Sequence, residues 1–571
     1  MRNLALARIF SEIADMLEIK EESIFRISAY RRAARAMESL TEDVTEVAAR
    51  DDLEEVPGIG KSTAEKIEEY LETGKITYYE ELRASLPLGI TTLMSVPEVG
   101  PKTAVLLYEK LGVTTIDELE RAARQGLVRT LPRMGAKTEE NILNGIELIR
   151  RTKERLPLGQ VLPHATEIED ALRALKEVKA ISLAGSIRRM KETIGDIDIL
   201  VTSSRPARVM DVFTTLPQVQ RVLAKGPTRS SVLLEVGIQA DVRVVKPESF
   251  GAALQYFTGS KEHNVRLREK GVRRGLKINE YGVFRVKDEK RVAGRTEEEV
   301  YAALDLPWIP PEIREGQGEV ELAEKGKLPR LVELQDIRGD LQMHTRWSDG
   351  SDSAEAMARA AKERGYEYIA ITDHSQSLKF VGGVTVEELR EHAKLVKQVG
   401  DKVGIAILMG TECEVHPDGS LDYPDEVLKE LDIVLAAVHT RLRMSEAEMT
   451  KRMIKAMENR HVDLVAHPTG RLLGQRESYS VNVEHLVQAA RRTGTVLEIN
   501  AAPERLDLRD TQARMAQERG VKLAINTDAH TRYQLRYMEF GVGTARRGGV
   551  ESKHVLNTLR LKDLLAFLRD R

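Results

Sequence analysis

Apolar and polar positions change rhythm twice along this chain. Over the first 150 residues apolar positions recur at helical spacing among strong helix formers, with few β-branched runs. The opening "MRNLALARIFSEIADML" predicts an amphipathic helix, because acidic residues interrupt it before a signal-type apolar core can form. From about residue 155 short β-rich runs take over: "AISLAGS", "DIDILVTS", "VLLEVG" and "ADVRVV", with "ARVMDVFTTL" reading as a helix between two of them. Residues 304–335, including "PWIPPEIREGQGE", are rich in Pro, Gly and charge and read as a linker region. Beyond it, apolar β runs alternate with helices such as "SAEAMARAAKERG" and "VEHLVQAARRTG", which predicts a parallel, barrel-like α/β unit.

Three features break these patterns. The first is a repeat in the helical region: "VPGIGKST" (56–63), "VPEVGPKT" (96–103) and "LPRMGAKT" (131–138) share apolar-Pro-x-apolar-Gly-x-x-Thr. Each lies between two helical patterns, and the trio resembles the helix-hairpin-helix motif. There glycine permits a tight turn, and the amides opening the second helix can hold a phosphate without reading sequence. Gly58, Gly60, Gly100, Lys102, Gly135 and Lys137 are the candidate DNA contacts. The bland alternative is three ordinary helix turns.

The second is "AGSIRRMKETIGDIDIL" (184–200), where Asp196 and Asp198 stand two apart in a strand and so point to one side. Either this is a solvated strand edge with Ile197, Ile199 and Val201 facing in, or a cation lies between the carboxylates. Asp241, inside the apolar run "ADVRVV", favours the cation, since a buried carboxylate without a partner is costly. Three carboxylates on adjacent strands suit two hard divalent cations of the kind that serve phosphoryl transfer. Gly185 and Ser186 precede a short predicted helix whose amides and hydroxyl could hold a triphosphate, with Arg188 and Arg189 neutralising charge.

The run "GSIRR…GDIDILV…ADVRVV…YFTGSKEHNVRLR…INEYGVF" resembles the X family of DNA polymerases, which includes polymerase β, from the N-terminus to about residue 305. The resemblance implies that Asp196 and Asp198 hold both Mg²⁺ or Mn²⁺ ions, and that Asp241 ligates the catalytic one nearest the primer hydroxyl. It places Gly185, Ser186 and Arg189 on the triphosphate, Tyr256 and Phe257 against the incoming sugar, and Gly259 and Ser260 in a turn beside it. It further implies that Asn264 contacts the base edge and Arg268 the template. The first hairpin would grip the downstream strand, the second the primer strand. "ISAYRRAARAM" and "VPGIGKSTAEKI" resemble the family's lyase domain, with Lys66 where the Schiff-base lysine lies. Phe25 and Arg26 depart from the His and Lys of some relatives, so a plain phosphate contact for Lys66 remains open.

The third is the distribution of histidine: ten of the 12 lie after residue 335. "YIAITDH", "AILMGTE", "IVLAAVH", "DLVAH" and "KLAINTDAH" are apolar runs that end in His, Asp or Glu, and the C-terminal strand ends are where α/β barrels build sites. This region, opening with "DLQMHTRWSDG", resembles a polymerase and histidinol phosphatase (PHP) domain. The resemblance implies His344, Asp349, His374, Glu412, His439, His467, Asp528 and His530 as ligands, with Gln342 standing where a histidine is common. Mixed imidazole and carboxylate donors suit Zn²⁺ or Mn²⁺. Asp373 is expected to support the ligands from behind, while Glu414 and His416 share a strand face with Glu412 and are weaker candidates.

The resemblances imply a multidomain α/β chain. They place a lyase-like helical domain at 1–85, further hairpins at 86–154, an α+β nucleotidyltransferase palm at 155–245 and a nucleotide-selection subdomain at 246–310. A linker at 311–335 and a distorted α/β barrel at 336–571 complete it. The length of 571 residues agrees, since roughly three to five domains are expected. Net charge of −3 gives no global signal for nucleic acid, but residues 201–300 carry 19 Lys and Arg against 12 Asp and Glu. A single Cys413 excludes an internal disulfide framework and suits a reducing cytoplasm, and no apolar run is long enough to cross a bilayer. The expected protein is a monomeric DNA polymerase that fills repair gaps from dNTPs, joined to a 3′-5′ exonuclease or related phosphoesterase. The competing readings are a nuclease with an inert polymerase-like clamp, a DNA-binding scaffold, and a nucleotidyltransferase for a small acceptor.

Overall fold

The structure is a computed structural model that describes residues 2–570 except 21, 40–43, 51, 57, 86–89, 95, 97–98, 133, 137, 141, 144, 147–154 and 474–475. The chain divides into two units. The first comprises Met1–Leu156, Pro163–Ile187 and Ile194–Trp308, and the second Pro157–Leu162, Arg188–Thr193 and Ile309–Arg571.

The first unit opens with α1 (Arg2–Ile19) and α2 (Ile24–Ser39). Leu6, Phe10, Ile13 and Leu17, at helical spacing on α1, are buried in one cluster with Tyr30, Ala33 and Met37 of α2. Gly60 precedes α3 (Lys61–Thr73), and its N–H donates to Oγ1 of Thr63 at 2.9 Å, which closes the entry to the helix. Gly58 needs to be glycine: its φ is +103°, and a Cβ there would lie 3.1 Å from the carbonyl oxygen of Arg32. Gly100 precedes α4 (Pro101–Leu111), which starts on a proline. Lys137 lies outside the described residues.

Five strands form the palm of the first unit: β1 (Val178–Leu183), β2 (Asp196–Ser203), β3 (Val219–Lys225), β4 (Arg229–Leu234) and β5 (Gln239–Val244). Their order in the sheet is β1-β2-β5-β4-β3. Ile197, Ile199 and Val201 are buried, as the alternation on β2 predicts. Each such side chain stabilises the fold by about 1.5–3 kcal/mol. The pair β2/β5 is parallel, with Asp198 directly opposite Asp241. Beyond the palm, α5 (Phe250–Thr258) and α6 (Lys261–Arg273) lead to a small antiparallel sheet of β6 (Leu276–Asn279), β7 (Gly282–Arg285) and β8 (Arg291–Ala293).

The main segment of the second unit, Ile309–Arg571, begins inside the stretch read as a linker. Residues 311–335 are folded here: they carry short helical segments at Pro311–Ile313 and Glu319–Glu324, and Arg314 and Val332 are fully buried. Seven parallel strands follow in sequential order: β9 (Gly339–Asp340), β10 (Tyr368–Ile371), β11 (Ala406–Glu414), β12 (Ile433–Ala437), β13 (Leu464–Val465), β14 (Val496–Asn500) and β15 (Leu523–Asn526). Intervening helices include α7 (Ala354–Glu363) and α8 (Val386–Val403). Just past β9 and β15, Met343 and Ala529 form a parallel bridge, so the sheet nearly closes into a barrel. No helix among the described residues is long and apolar enough to cross a membrane.

Candidate active sites

The register of the palm sheet brings the predicted carboxylates together. Asp196 and Asp198 lie on β2, and Asp241 lies across from Asp198 on β5. Gly185 has φ +61°, and a Cβ there would meet Oδ2 of Asp198 at 2.6 Å, so only glycine lets the chain pass this close. Burial and the charges of Asp196 and Asp241 push the Asp198 carboxyl up to about 7. Asp241 is held from its other side: Ser231 Oγ donates to it, Gln239 Nε2 donates at 2.7 Å, and Arg229 stands 3.7 Å away. Among the described residues the buried hydroxyl of Ser186 meets no hydrogen-bond partner, which suits it to a phosphate oxygen.

The nucleotide-side residues are placed more unevenly. Tyr256 and Phe257 pack edge to face with centroids 5.1 Å apart, and the Arg243 guanidinium lies 5.1 Å from the Phe257 ring. Gly259 ends α5, and Ser260 caps α6 by accepting from the N–H of His263. Asn264 does not present a free amide: its Nδ2 donates to Tyr256 O and its Oδ1 accepts from Gln255, both at 2.7 Å. Arg268 Nε donates to Asn264 O at 3.3 Å. Arg189, expected on the triphosphate, falls in the second unit and gives its Nε to Glu315 at 3.0 Å. In the helical region, Cβ atoms at Gly60, Gly100 and Gly135 would meet nothing within 4 Å, and Lys102 is exposed, so the turns are open to a ligand. Lys66 Nζ donates to Ser62 O at 3.1 Å and lies 5.3 Å from the ring centre of Tyr78, to which Arg26 also donates. Phe25 is exposed.

The barrel site is denser. Seven of the eight predicted ligands fall into three groups whose donor atoms lie within 4.8 Å of one another: His344, Asp349, His374 and His530; His374, Glu412 and His439; His344, Glu412 and Asp528. The eighth, His467, has Nε2 2.7 Å from Glu412 Oε1. His344 Nε2 stands 3.1 Å from Asp528 and 3.4 Å from Glu412, yet both its ring nitrogens lack an aligned hydrogen-bond partner. Donor atoms that crowd without pointing at each other fit cations between them. His467 (φ 29°) and Asp528 (φ 53°) hold left-handed backbone, strain of the kind that persists where a site requires it.

The outer contacts fix these ligands. His439 donates Nδ1 to Glu414 at 3.0 Å and His530 donates Nδ1 to Asp528 O at 2.7 Å, which turns each Nε2 inward. Glu414 is thus an orienting residue rather than a ligand, and the fully buried Arg452 anchors its other oxygen. His416 sits outside the groups, 3.5 Å from Asp422. Asp373 supports the loop that carries Asp349, accepting from Thr345 N at 2.8 Å and from Ser348 Oγ. Despite burial, the surrounding histidines hold Asp349, Glu412 and Asp528 well below the usual carboxylate range. Against the same burial, neighbouring carboxylates lift His439 and His530 to about 9. Gln342 is fully buried, its Oε1 has no partner, and its Nε2 reaches Asp528 at 3.5 Å.

Family models match the chain in five places: a helix-hairpin-helix domain at 1–76, a SAM-like helix-hairpin-helix tandem at 90–147, a DNA polymerase beta palm at 155–234, a DNA polymerase beta thumb at 253–315, and a PHP domain at 340–502. Among curated proteins, the DNA polymerase/3′-5′ exonuclease PolX of Bacillus subtilis (strain 168) is 42% identical over 572 residues, covering 100% of both chains. The chain belongs to the X-family DNA polymerases that carry a C-terminal PHP domain. Part of the chain is similar to smaller proteins. A probable phosphatase of Thermoanaerobacter sp. (strain X514) is 29% identical over 212 residues, 35% of this chain and 82% of its own. A probable phosphatase of Caldanaerobacter subterraneus is 28% identical over the same length, 79% of its own.

Several residues of this X-family chain escaped the sequence reading. Arg243 shares the Asp241 face of β5 by the two-residue period, a signal present in "ADVRVV". Glu498 and Asn500 end β14 as the ligands end other strands, but "VLEIN" closes on Asn rather than on His, Asp or Glu. Glu498 accepts from His467 N at 2.7 Å, and burial pushes its carboxyl well above the usual range. Arg505, 3.5 Å from Asp528, lies in a loop without periodic signal.

Proposed function

We propose that this chain is a DNA-directed DNA polymerase that fills short gaps during base excision repair, with a metal-dependent 3′-5′ exonuclease or related phosphoesterase in its barrel. The observation that carries the polymerase reading is the register: Asp198 faces Asp241 across β2 and β5, with Asp196 two residues away. Asp196, Asp198 and Asp241 would hold Mg²⁺ or Mn²⁺, which lowers the pKa of an attacking hydroxyl and offsets phosphate charge. Ser231 and Gln239 fix Asp241, and Ser186 and the neighbouring amides receive the triphosphate of a dNTP. Arg189, expected on the triphosphate, gives its Nε to Glu315 within the second unit. In the barrel, the eight predicted ligands would hold Zn²⁺ or Mn²⁺, which polarise a phosphodiester and supply hydroxide. Glu414 and the carbonyl of Asp528 keep Nε2 of His439 and His530 directed inward. Intact carboxylates in the palm speak against an inert clamp, and the free, buried Cys413 supports a reducing cytoplasm.

The test is a labelled one-nucleotide-gap duplex incubated with the protein and Mg²⁺ or Mn²⁺, with and without dNTPs. Extension with dNTPs and 3′ shortening without them are the expected results. No extension under either metal sinks the polymerase reading; no shortening of any 3′ end sinks the exonuclease. A second reading adds a 5′-deoxyribose-phosphate lyase through Lys66, supported by its place beside Ser62 and Tyr78. Borohydride should then trap wild type but not Lys66→Ala on an abasic 5′ end. Wild type that never traps leaves Lys66 as a phosphate contact.

A further inference from the structure

Two segments leave the barrel site side by side, each starting at a metal-ligand position. One runs from Asp349 through Ser353 into α7; the other runs from His530 into the turn Arg532–Tyr537. They are tied together near their origin: Ser351 N donates to His530 O at 2.8 Å, and Arg532 N donates to Asp352 Oδ2 at 2.9 Å. Between them lies an open cleft of about 760 Å³, a size typical of ligand sites. Its lining includes Arg359, Glu363, Arg364, Arg532, Tyr533 and Arg536.

The chemistry of this lining is specific. Arg359 is taken by Glu355 at 2.7 Å, but among the described residues Arg364, Arg532 and Arg536 form no ion pair. Glu539 lies near Arg364 and Arg536, and Asp352 and Glu363 near Arg532, without pairing with them. Tyr533 is 67% exposed, an unusual position for a large aromatic, and the Arg532 guanidinium lies 5.1 Å from its ring. Arg532 Nη2 donates to Tyr533 Oη at 3.3 Å. Guanidinium groups without an acidic partner beside an exposed aromatic face are what proteins use to follow a single nucleic-acid strand, the cations on phosphates and the ring under a base.

We propose that this cleft holds the nucleotides of a single DNA strand next to the phosphodiester cleaved in the barrel, with Tyr533 stacking a base and Arg364, Arg532 and Arg536 contacting phosphates. The inference rests on the phosphoesterase reading of the barrel. Both segments that line the cleft begin at ligand positions and are tied together there, which favours a DNA strand that also reaches the metals over an acidic peptide.

The full-length, metal-loaded chain is assayed on single-stranded dT8 and on bis(p-nitrophenyl) phosphate, a diester with no strand to fill the cleft. Tyr533→Ala, and separately Arg532→Ala with Arg536→Ala, should raise KM for dT8 on the order of tenfold. Hydrolysis of the small diester should change less than twofold, and Tyr533→Phe should behave as wild type. In parallel, dT8 bearing 5-iododeoxyuridine is irradiated with the wild-type chain, and cross-linking to the peptide that contains Tyr533 is expected. Unchanged dT8 cleavage in both variants overturns the proposal. So does equal loss on both substrates, which marks a structural role, or competition by polyglutamate as strong as by dT8, which marks a generic anion surface. Wild type inert on both substrates would instead remove the phosphoesterase reading, and the cross-link then decides the cleft alone.

Discussion

The palm and the barrel both gather carboxylates at strand ends, and they meet the cost of that charge differently. In the palm, carboxylates face one another, with Arg243 and Arg229 opposing the charge on Asp198, whose carboxyl is still pushed up to about 7. In the barrel, histidines interleave with Asp349, Glu412 and Asp528, and those carboxyls stay well below their usual range. The barrel is therefore charge-balanced from within, and cations can replace the protons of His439 and His530. In the palm the arginines leave Asp198 raised, and divalent ions arriving with a triphosphate would complete the balance. Few protein donors suit Mg²⁺, which keeps water and substrate oxygens; many fixed donors suit a resident metal.

The sharpest way to break this comparison is to remove one carboxylate from the palm. Asp198→Ala should lower nucleotide addition at least on the order of a thousandfold while gapped-DNA binding persists, measured by single-turnover incorporation and gel shift. Near-normal incorporation would mean that the Asp198–Asp241 register does not build the site. His374→Ala should give the converse loss, of exonuclease rather than extension.

Metal retention separates the two sites next. After exchange into metal-free buffer, elemental analysis should find transition metal held by wild type and markedly less in Glu412→Gln, whose carboxylate serves two of the three groups. Glu414→Gln should weaken metal binding by about 10–100-fold through His439 alone. Equal retention by all three proteins would show that the barrel donors do not act as ligands.

Gln342→His is a smaller, opposite change. An imidazole at this buried position beside Asp528 should tighten Zn²⁺ binding by calorimetry and leave the fold intact by circular dichroism. Unaltered affinity would place Gln342 outside the ligand set.

The smallest expected effect is on stability. Asp198 titrates at about 7 in the fold against an ordinary 3.8, so its protonated form favours folding. That contribution is complete below about pH 4 and is lost as pH rises to 7. In chelator, the Tm of wild type relative to Asp198→Asn should fall across this window, and Mg²⁺ should restore part of it at pH 7. A difference that stays constant with pH would mean Asp198 is already ionised in the metal-free fold.

Much of the molecule was legible from local pattern. The two-residue period placed Asp196 and Asp198 on one face, and "AISLAGS" and "DIDILVTS" read as β-rich runs, which the structure pairs antiparallel. Apolar runs ending in His, Asp or Glu mark His374, Glu412, His439, His467 and His530 as strand-end candidates, whereas His344 and Asp528 enter only through the family resemblance. These features repeat within a single element, so the chain alone carries them. Strand order, by contrast, sets Asp241 opposite Asp198, because pairing joins segments distant in sequence. Tertiary neighbours made Glu414 a support for His439, occupied the amide of Asn264, engaged Arg189 with Glu315 and buried Arg314 in a stretch whose composition suggests a linker. A side chain's type and spacing limit what it can do. Which partner it meets depends on loops and strand ends that only the folded chain brings within hydrogen-bonding distance.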